Sequence, residues 1–213
     1  MDSIYLGRMV AVGMTPSGKL SVMYRVSSRS FPNRQAKVND QKVSIVPKPG
    51  HEADIFKNPY ISYNCAIIAN NAAVLTNGSQ TDPIAEKIRS GMNIRDSLIY
   101  SLAVMDYEKD AYDTPRIAAV ARLGEKTGWL GVIRKNGLDV REFALEPGKC
   151  LFVSTYERNR VSAENCCALP AEDAAAACAH ILGEGDFAAF LNPVTAVCAV
   201  EQNGAFALAA IDK

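Results

Sequence analysis

The sequence predicts an α+β fold, on three observations. Short apolar runs recur along the chain between turn pairs such as Asn70-Asn71, Asn136-Gly137 and Asn203-Gly204. Helical signals gather in separate blocks, near residues 82–105 and 170–182, instead of alternating with strands. No linker, repeat or low-complexity stretch divides the 213 residues, which read as a single domain over 1–213. Runs joined by tight turns pair antiparallel, and segregated helices pack outside the sheets they cover.

Each element has its own signal. Ile4 to Val12 and Leu20 to Val26 are apolar runs around Thr15-Pro16-Ser17-Gly18, a first hairpin. Lys42 to Pro47 makes a strand closed by Pro47-Lys48-Pro49-Gly50. Ile61 to Ala69 and Ala72 to Thr76 make a second hairpin around Asn70-Asn71. Asp82-Pro83 offers an N-cap with proline at the first helical position, where its missing N–H is harmless, and Gly91 ends that helix. Asn93 caps the next helix, with Asp96 three residues on. There Ile94, Leu98, Leu102 and Met105 recur at helical spacing as a core stripe. Strands are then expected at Ile117 to Ala121, Gly128 to Ile133, Leu138 to Leu145 and Cys150 to Thr155. An alanine-rich helix runs from Pro170 to Leu182 and stops at Gly183, and Val194 to Val200 with Ala205 to Ile211 forms the last hairpin.

Charge and cysteine content narrow the function classes. Lys plus Arg and Asp plus Glu number 23 each, so the formal net charge is zero. Without a basic excess nothing draws the chain to nucleic acid in general, and an anion must be held by a local cluster. The apolar runs end within about ten residues, short of the roughly 20 that span a bilayer. The opening Met1-Asp2-Ser3-Ile4 carries an acid and Arg8 breaks the apolar stretch behind it, unlike a signal peptide. The six cysteines are scattered apart from Cys166-Cys167, with no CxxC, and neither His51 nor His180 lies at metal-ligand spacing from one. Reduced, buried cysteines in a cytoplasmic protein are expected, with no metal. Asn77-Gly78-Ser79 matches a glycosylation sequon, of little weight without a secretory signal.

Four segments carry more polar chemistry than folding requires. Residues 25–34 place Arg25, Arg29 and Arg34 among Ser27, Ser28, Ser30 and Asn33 at a strand end. Guanidinium forks, hydroxyls and turn amides suit a phosphate, and a solvated loop pairing surface acids fits as well. Tyr60 and Tyr63, between Asn58 and Asn64, are able to stack on a base or donate to an oxyanion; half-buried tyrosines on a sheet face are the plainer reading. Residues 76–82, TNGSQTD, lie before a helix N-terminus and read as a turn and cap, though such amides also hold anions. In MDYEKDAYDTPR, 105–116, Asp106, Glu108, Asp110 and Asp113 stand beside Lys109 and Arg116. Crowded acids tune a proton-transfer carboxylate, or simply end a helix in charge. There is no GxSxG, P-loop or HExxH motif.

Taken together, YRVSSRSFPNR, HEADIFKNPYISYNC, NGSQTD and MDYEKDAYDTPRIAA resemble the archaeal-type IMP cyclohydrolase family, in this order and spacing. The resemblance is dense from Tyr5 to Ala119 and continues through VSTYE at 153–157 and FAAFLNPVTA at 187–196. It implies a four-layer αββα sandwich similar to N-terminal-nucleophile hydrolases. It implies ring closure of 5-formamidoimidazole-4-carboxamide ribonucleotide to IMP and water, the last step of de novo purine synthesis, without cofactor or metal. By resemblance, Arg34, Tyr63 and Glu108 occupy the catalytic pocket. Glu108 would move the carboxamide proton toward the departing oxygen, Tyr63 would donate to the formyl oxygen, and Arg34 would support its charge or orient the carboxamide; the roles of Tyr63 and Glu108 are exchangeable at this stage. Ser28, Arg29 and Asn33 would hold the nucleotide, and Tyr60, Asn64 and Arg116 would contact base or ribose. A homo-oligomer is expected, with transient contact to a formyltransferase.

The sequence departs from the family in its start at Met1-Asp2-Ser3, in Thr76 where serine is expected, and in Cys166, Cys167, Cys178 and Cys198. Two rivals stand beside this reading. An N-terminal-nucleophile amidohydrolase would need a freed Ser3 as first residue, behind Asp2. A regulator would bind a purine nucleotide in the same pocket without turning it over.

Overall fold

The computed structural model describes residues 3–213; Met1 and Asp2, on which the reading of the N-terminus partly rests, lie outside them. In chain order the strands are β1 (Met9–Met14), β2 (Leu20–Ser27), β3 (Arg34–Asn39), β4 (Lys42–Pro47), β5 (Tyr63–Ala69), β6 (Ala72–Thr76), β7 (Arg116–Arg122), β8 (Thr127–Arg134), β9 (Gly137–Ala144), β10 (Lys149–Ser154), β11 (Cys166–Ala168), β12 (Pro193–Gln202) and β13 (Ala205–Asp212). The helices are α1 (Asp54–Lys57), α2 (Thr81–Arg89), α3 (Ile94–Met105) and α4 (Ala174–Gly183), with 3₁₀ turns at Pro59–Ile61 and Gly185–Ala189. The strands form two antiparallel sheets, ordered β11-β10-β1-β2-β12-β13 and β3-β4-β5-β6-β7-β8-β9.

Alternation along each strand sets the layers. Val10 and Val12 of β1, and Val22, Tyr24 and Val26 of β2, face the other sheet and meet Cys65, Ile117, Ala119 and Leu130 in the main core. The intervening Met9, Ala11 and Met23 face outward and are covered by Ala177, Cys178 and Ile181 of α4. On the far side, Ile84 and Ile88 of α2 and Ile94 and Leu98 of α3 cover Val74, Ala118 and Val120. Helix, sheet, sheet and helix thus stack in that order. Central strands are buried on both faces, which is why they read as near-continuous apolar runs.

Several boundaries differ from the sequence reading, each for a local reason. The first strand starts at Met9 instead of Ile4, because Gly7 turns the chain at φ +70°. A Cβ on Gly7 would lie 2.3 Å from Thr155 Oγ1 and 2.6 Å from the Tyr156 ring, so glycine is needed for space as well as conformation. Strand β3 was not expected from its sequence: RQAKVN has two apolar residues in six, as suits a half-exposed strand at a sheet edge. Strand β11 has three residues, too short for a pattern. Asp82 is not the N-cap; α2 begins at Thr81, two residues before Pro83, after Gln80, and the Asp82 carboxylate accepts from Asn64 Nδ2 at 2.8 Å. Helix α4 begins at Ala174, capped by Asp173, whose Oδ1 accepts from the Ala176 N–H at 2.8 Å, and not at Pro170. Ile61 belongs to the 3₁₀ turn before β5. Five of the six cysteines are buried thiols, and Cys166 is exposed.

Candidate active site

Alternate strands of an antiparallel sheet run the same way, so their first residues line one edge. Arg34, Tyr63 and Arg116 open β3, β5 and β7 of the seven-stranded sheet. Arg8 immediately precedes β1 in the facing sheet, where residues 6–8 are fastened to 155–156: Thr155 N–H donates to Arg8 O (2.9 Å) and Tyr156 N–H to Leu6 O (3.1 Å). A small half-open cleft lies at this end. Its lining includes Tyr5, Arg8, Ser28, Arg29, Arg34 and Tyr156.

Glu108 arrives from the loop between α3 and β7. Asp106 ends α3 with φ 56° and ψ −176°, a backbone region that only glycine adopts without strain. Beyond it, Glu108 N–H donates to Thr114 O at 2.8 Å, and the Asp110 carboxylate accepts from Thr114 N (2.9 Å) and Thr114 Oγ1 (2.7 Å). The loop is therefore closed on itself with Glu108 turned inward, 1% exposed. Glu108 Oε2 accepts from Arg8 Nη2 at 3.0 Å, whereas Oε1 has no partner among the described residues. Burial pushes the Glu108 carboxyl above its ordinary value, against the pull of Arg8 and Arg116. A Cβ on Gly78 would lie 2.7 Å from Gln80 Oε1 and 2.8 Å from Arg116 Nη1, so a larger residue there would have to displace these paired side-chain ends.

Arg34 Nη1 and Arg116 Nε are likewise buried without partners among the described residues, as are Ser21 Oγ, Ser101 Oγ, Arg122 Nε and Arg134 Nε elsewhere in the fold. One other group of each arginine is held, Arg34 Nε by Phe31 O (3.0 Å) and Arg116 Nη1 by Gln80 Oε1 (3.0 Å). Buried polar groups in native proteins are paired, so unmet donors and an unmet acceptor in one neighbourhood mark a place shaped for a ligand. Arg8 and Arg116 act on the buried Glu108 carboxylate, and Arg8 and Arg34 on the Tyr63 phenol, a local gathering of positive charge in a chain whose formal net charge is zero.

Tyr63 is 8% exposed, and its hydroxyl lies 2.5 Å from that of Tyr24, which reaches across from β2 of the opposite sheet. Burial raises the Tyr63 phenol above its ordinary value although Arg34 and Arg8 oppose it, so the hydroxyl keeps its proton at neutral pH.

The arginines of residues 25–34 divide among three tasks. Arg25 is fully buried and donates to the carbonyls of Ile181 (3.2 Å), Phe187 (3.0 Å) and Phe190, and to Ser27 Oγ (3.0 Å). It fastens the end of α4 and the following turn onto β2. Arg29 lies over the Tyr5 ring, 4.2 Å from its centre, at the cleft wall. Arg34 lines the cleft and keeps a buried Nη1 unpaired among the described residues. Ser28 lines the cleft and accepts from Phe31 N–H at 3.0 Å.

Other residues named from the sequence sit further out. Asn33 Nδ2 lies 3.2 Å from His51 Nδ1 and does not line the cleft. Asn64 is tied to Ser44 Oγ (2.8 Å) and Asp82 (2.8 Å). Tyr60 packs beside Arg116, with 5.6 Å from the guanidinium to the ring centre, and accepts from Lys109 N–H. TNGSQTD is no exposed turn: Asn77, Gln80 and Thr81 are buried, and Asn77 Oδ1 accepts from Ile117 N–H (2.8 Å) and Gln80 Nε2 (2.8 Å). Of the acids in 105–116, Glu108 alone is buried; Asp113 pairs with Lys135 at 2.7 Å and Asp106 with Lys109 at 2.5 Å.

Arg8, Tyr24 and Tyr156 were missed as site residues. The available signal was Arg8 itself, a charge directly before a fully buried strand, MVAVGM. Tyr24 gave none, since a tyrosine in an apolar strand is ordinary core.

Comparison with known proteins adds an independent line. A family model described as IMP cyclohydrolase-like protein matches residues 5–205. The chain is 46% identical to the IMP cyclohydrolase of Methanosphaera stadtmanae over 201 residues, covering 94% of this chain and 96% of the relative. It is 44% identical to that of Methanococcus maripaludis, covering 98% and 100%, and 50% identical to that of Methanocella arvoryzae, covering 81% and 84%.

Proposed function

Because this chain belongs to the IMP cyclohydrolase family, we propose that it closes the ring of 5-formamidoimidazole-4-carboxamide ribonucleotide to give IMP and water. The observation that carries this reading at the level of residues is the set of three unpaired buried atoms, Glu108 Oε1, Arg34 Nη1 and Arg116 Nε.

The substrate brings nucleophile and electrophile together on one imidazole, so proximity is largely built in. The enzyme's work is orientation, charge stabilisation and proton transfer. The carboxamide nitrogen attacks the formyl carbon, and its proton passes to Glu108 Oε1. The oxygen of the tetrahedral intermediate receives a hydrogen bond from the Tyr63 phenol and the charge of Arg34. Glu108 then returns that proton to the oxygen, and the second hydrogen of the departing water comes from the formamido N–H, whose loss forms the C=N bond of the new ring. A buried carboxyl raised above its ordinary value by desolvation is suited to both transfers. Arg8 holds the other Glu108 oxygen and keeps the acting one turned to the substrate.

Arg29 and Ser28 at the cleft wall hold the phosphate, and Tyr60 and Arg116 contact base or ribose. Arg29→Ala is expected to weaken IMP binding by about 1.5–3 kcal/mol, the worth of a charge-assisted contact. Titration calorimetry with IMP checks this, and unchanged affinity returns Arg29 to a role in packing Tyr5 alone. Asn33 contributes to the site through its contact with His51, and Asn64 by tying β5 to β4 and α2 beside Tyr63.

The helix–sheet–sheet–helix layering supports an N-terminal-nucleophile-hydrolase-like architecture. The reading includes a cytoplasmic setting and transient contact with a formyltransferase. Exposed Val104 and Tyr100 on α3 support association into a homo-oligomer. An ultraviolet assay of ring closure with the purified chain and the formylated substrate tests the function; IMP binding without turnover would point to a regulator instead.

A further inference from the structure

We propose that Tyr24 is a positioning residue for ring closure: it donates its phenol hydrogen to the Tyr63 oxygen, so that the Tyr63 hydrogen is left for the substrate. The inference rests on the reading of Tyr63 as an oxyanion donor.

The geometry argues the direction of the bond. The two hydroxyls are 2.5 Å apart, and each is able to donate. Tyr24 is fully buried, between Val10 of β1 and Val197 of β12 as its cross-strand neighbours. Its hydroxyl has no second partner among the described residues. Were Tyr63 the donor, the Tyr24 hydrogen would be left buried without an acceptor, beside the Arg8 and Arg34 cations, which is disfavoured. With Tyr24 as donor both hydrogens are used, one on Tyr63 and one on the substrate. Arg8 before β1 and Arg34 of β3 act on both phenols, with Cys65 beside Tyr63 on its own strand and Glu108 behind Arg8. The cations stabilise charge at the pair, and the lack of a second acceptor for Tyr24 sets the direction. As the Tyr63 oxygen gains charge in donating to the substrate, the bond from Tyr24 strengthens, an effect confined to the transition state.

Packing alone does not call for a phenol at position 24. Phenylalanine fills the same volume against valines, and the hydroxyl finds its single partner in a residue at the reacting centre.

The test uses the full chain and single-turnover ring closure at saturating substrate. Tyr24→Phe is expected to lower the rate about tenfold while the half-saturating substrate concentration stays within about twofold, since the lost interaction belongs to the transition state. The double variant Tyr24→Phe/Tyr63→Phe is expected to be no slower than Tyr63→Phe, because Tyr24 acts through Tyr63. Parent-like turnover in Tyr24→Phe, or losses that multiply in the double variant, overturns the inference. Should Tyr24→Phe fail to fold, 3-fluorotyrosine at position 24 replaces it. It keeps the hydroxyl and donates more strongly, so the rate is expected to rise about two- to threefold, and an unchanged rate overturns the proposal. A parent chain that forms no IMP at all removes the reading of the site itself, an outcome separate from any of these.

Discussion

Glu108→Gln is expected to slow ring closure by about 10²–10⁴-fold, the usual worth of a positioned proton-transfer group, while IMP still binds. The amide keeps the shape and still accepts from Arg8, so the pocket stays assembled. What disappears is the capacity to take a proton from the carboxamide and return it to the departing oxygen. The pH dependence gives a second readout. Desolvation raises the Glu108 carboxyl, and Arg8 and Arg116 only partly oppose it. As a base, Glu108 must be ionised before attack. In the parent, kcat/KM therefore falls as pH drops through this raised value, above the ordinary 4.5. In the Gln variant that bend is lost and the residual rate is flat across the same range. Stopped-flow absorbance over a pH series checks both. A variant within tenfold of the parent, with the acid bend intact, would remove Glu108 from the chemistry.

The largest expected effect on stability belongs to an arginine outside the cleft. Arg25→Met should destabilise the fold by about 3–5 kcal/mol, as breaking a buried charged network does. Methionine replaces much of the aliphatic stem, but the carbonyls of Ile181, Phe187 and Phe190 lose their donor in a site without water access. Burial brings the Arg25 guanidinium down to about 10, still well above neutrality, so it is charged under physiological conditions. Urea unfolding followed by circular dichroism measures the loss. Affinity for IMP in the fraction that remains folded should be unchanged. A loss below about 1 kcal/mol would mean that the three carbonyls are satisfied in another way.

These two residues mark how far the sequence was legible. Glu108 lies in an acid-rich segment that reads equally as a helix end; resemblance singled it out, and burial distinguishes it from Asp106, Asp110 and Asp113. Arg25 sits in the same short cluster as Arg29 and Arg34, and local spacing gave no way to separate a buried brace from a cleft wall. The side chain at 25 alternates to the outer face of β2, under α4, while Tyr24 points to the inner face. That difference of one position on a strand changes everything the side chain meets.

The hairpins around Asn70-Asn71 and Asn203-Gly204, the Asn93 cap and the apolar stripe of α3 were determined by the sequence alone. Their causes are local: turn chemistry, capping hydrogen bonds and a helical or two-residue period. Only the tertiary structure decided that Arg8 meets Glu108, 100 residues away, and that Tyr24 meets Tyr63, 39 residues away on the facing sheet. Those pairs exist because two sheets close on a shared core and bring the ends of distant strands to one edge. No pattern within a strand encodes which strand will face it.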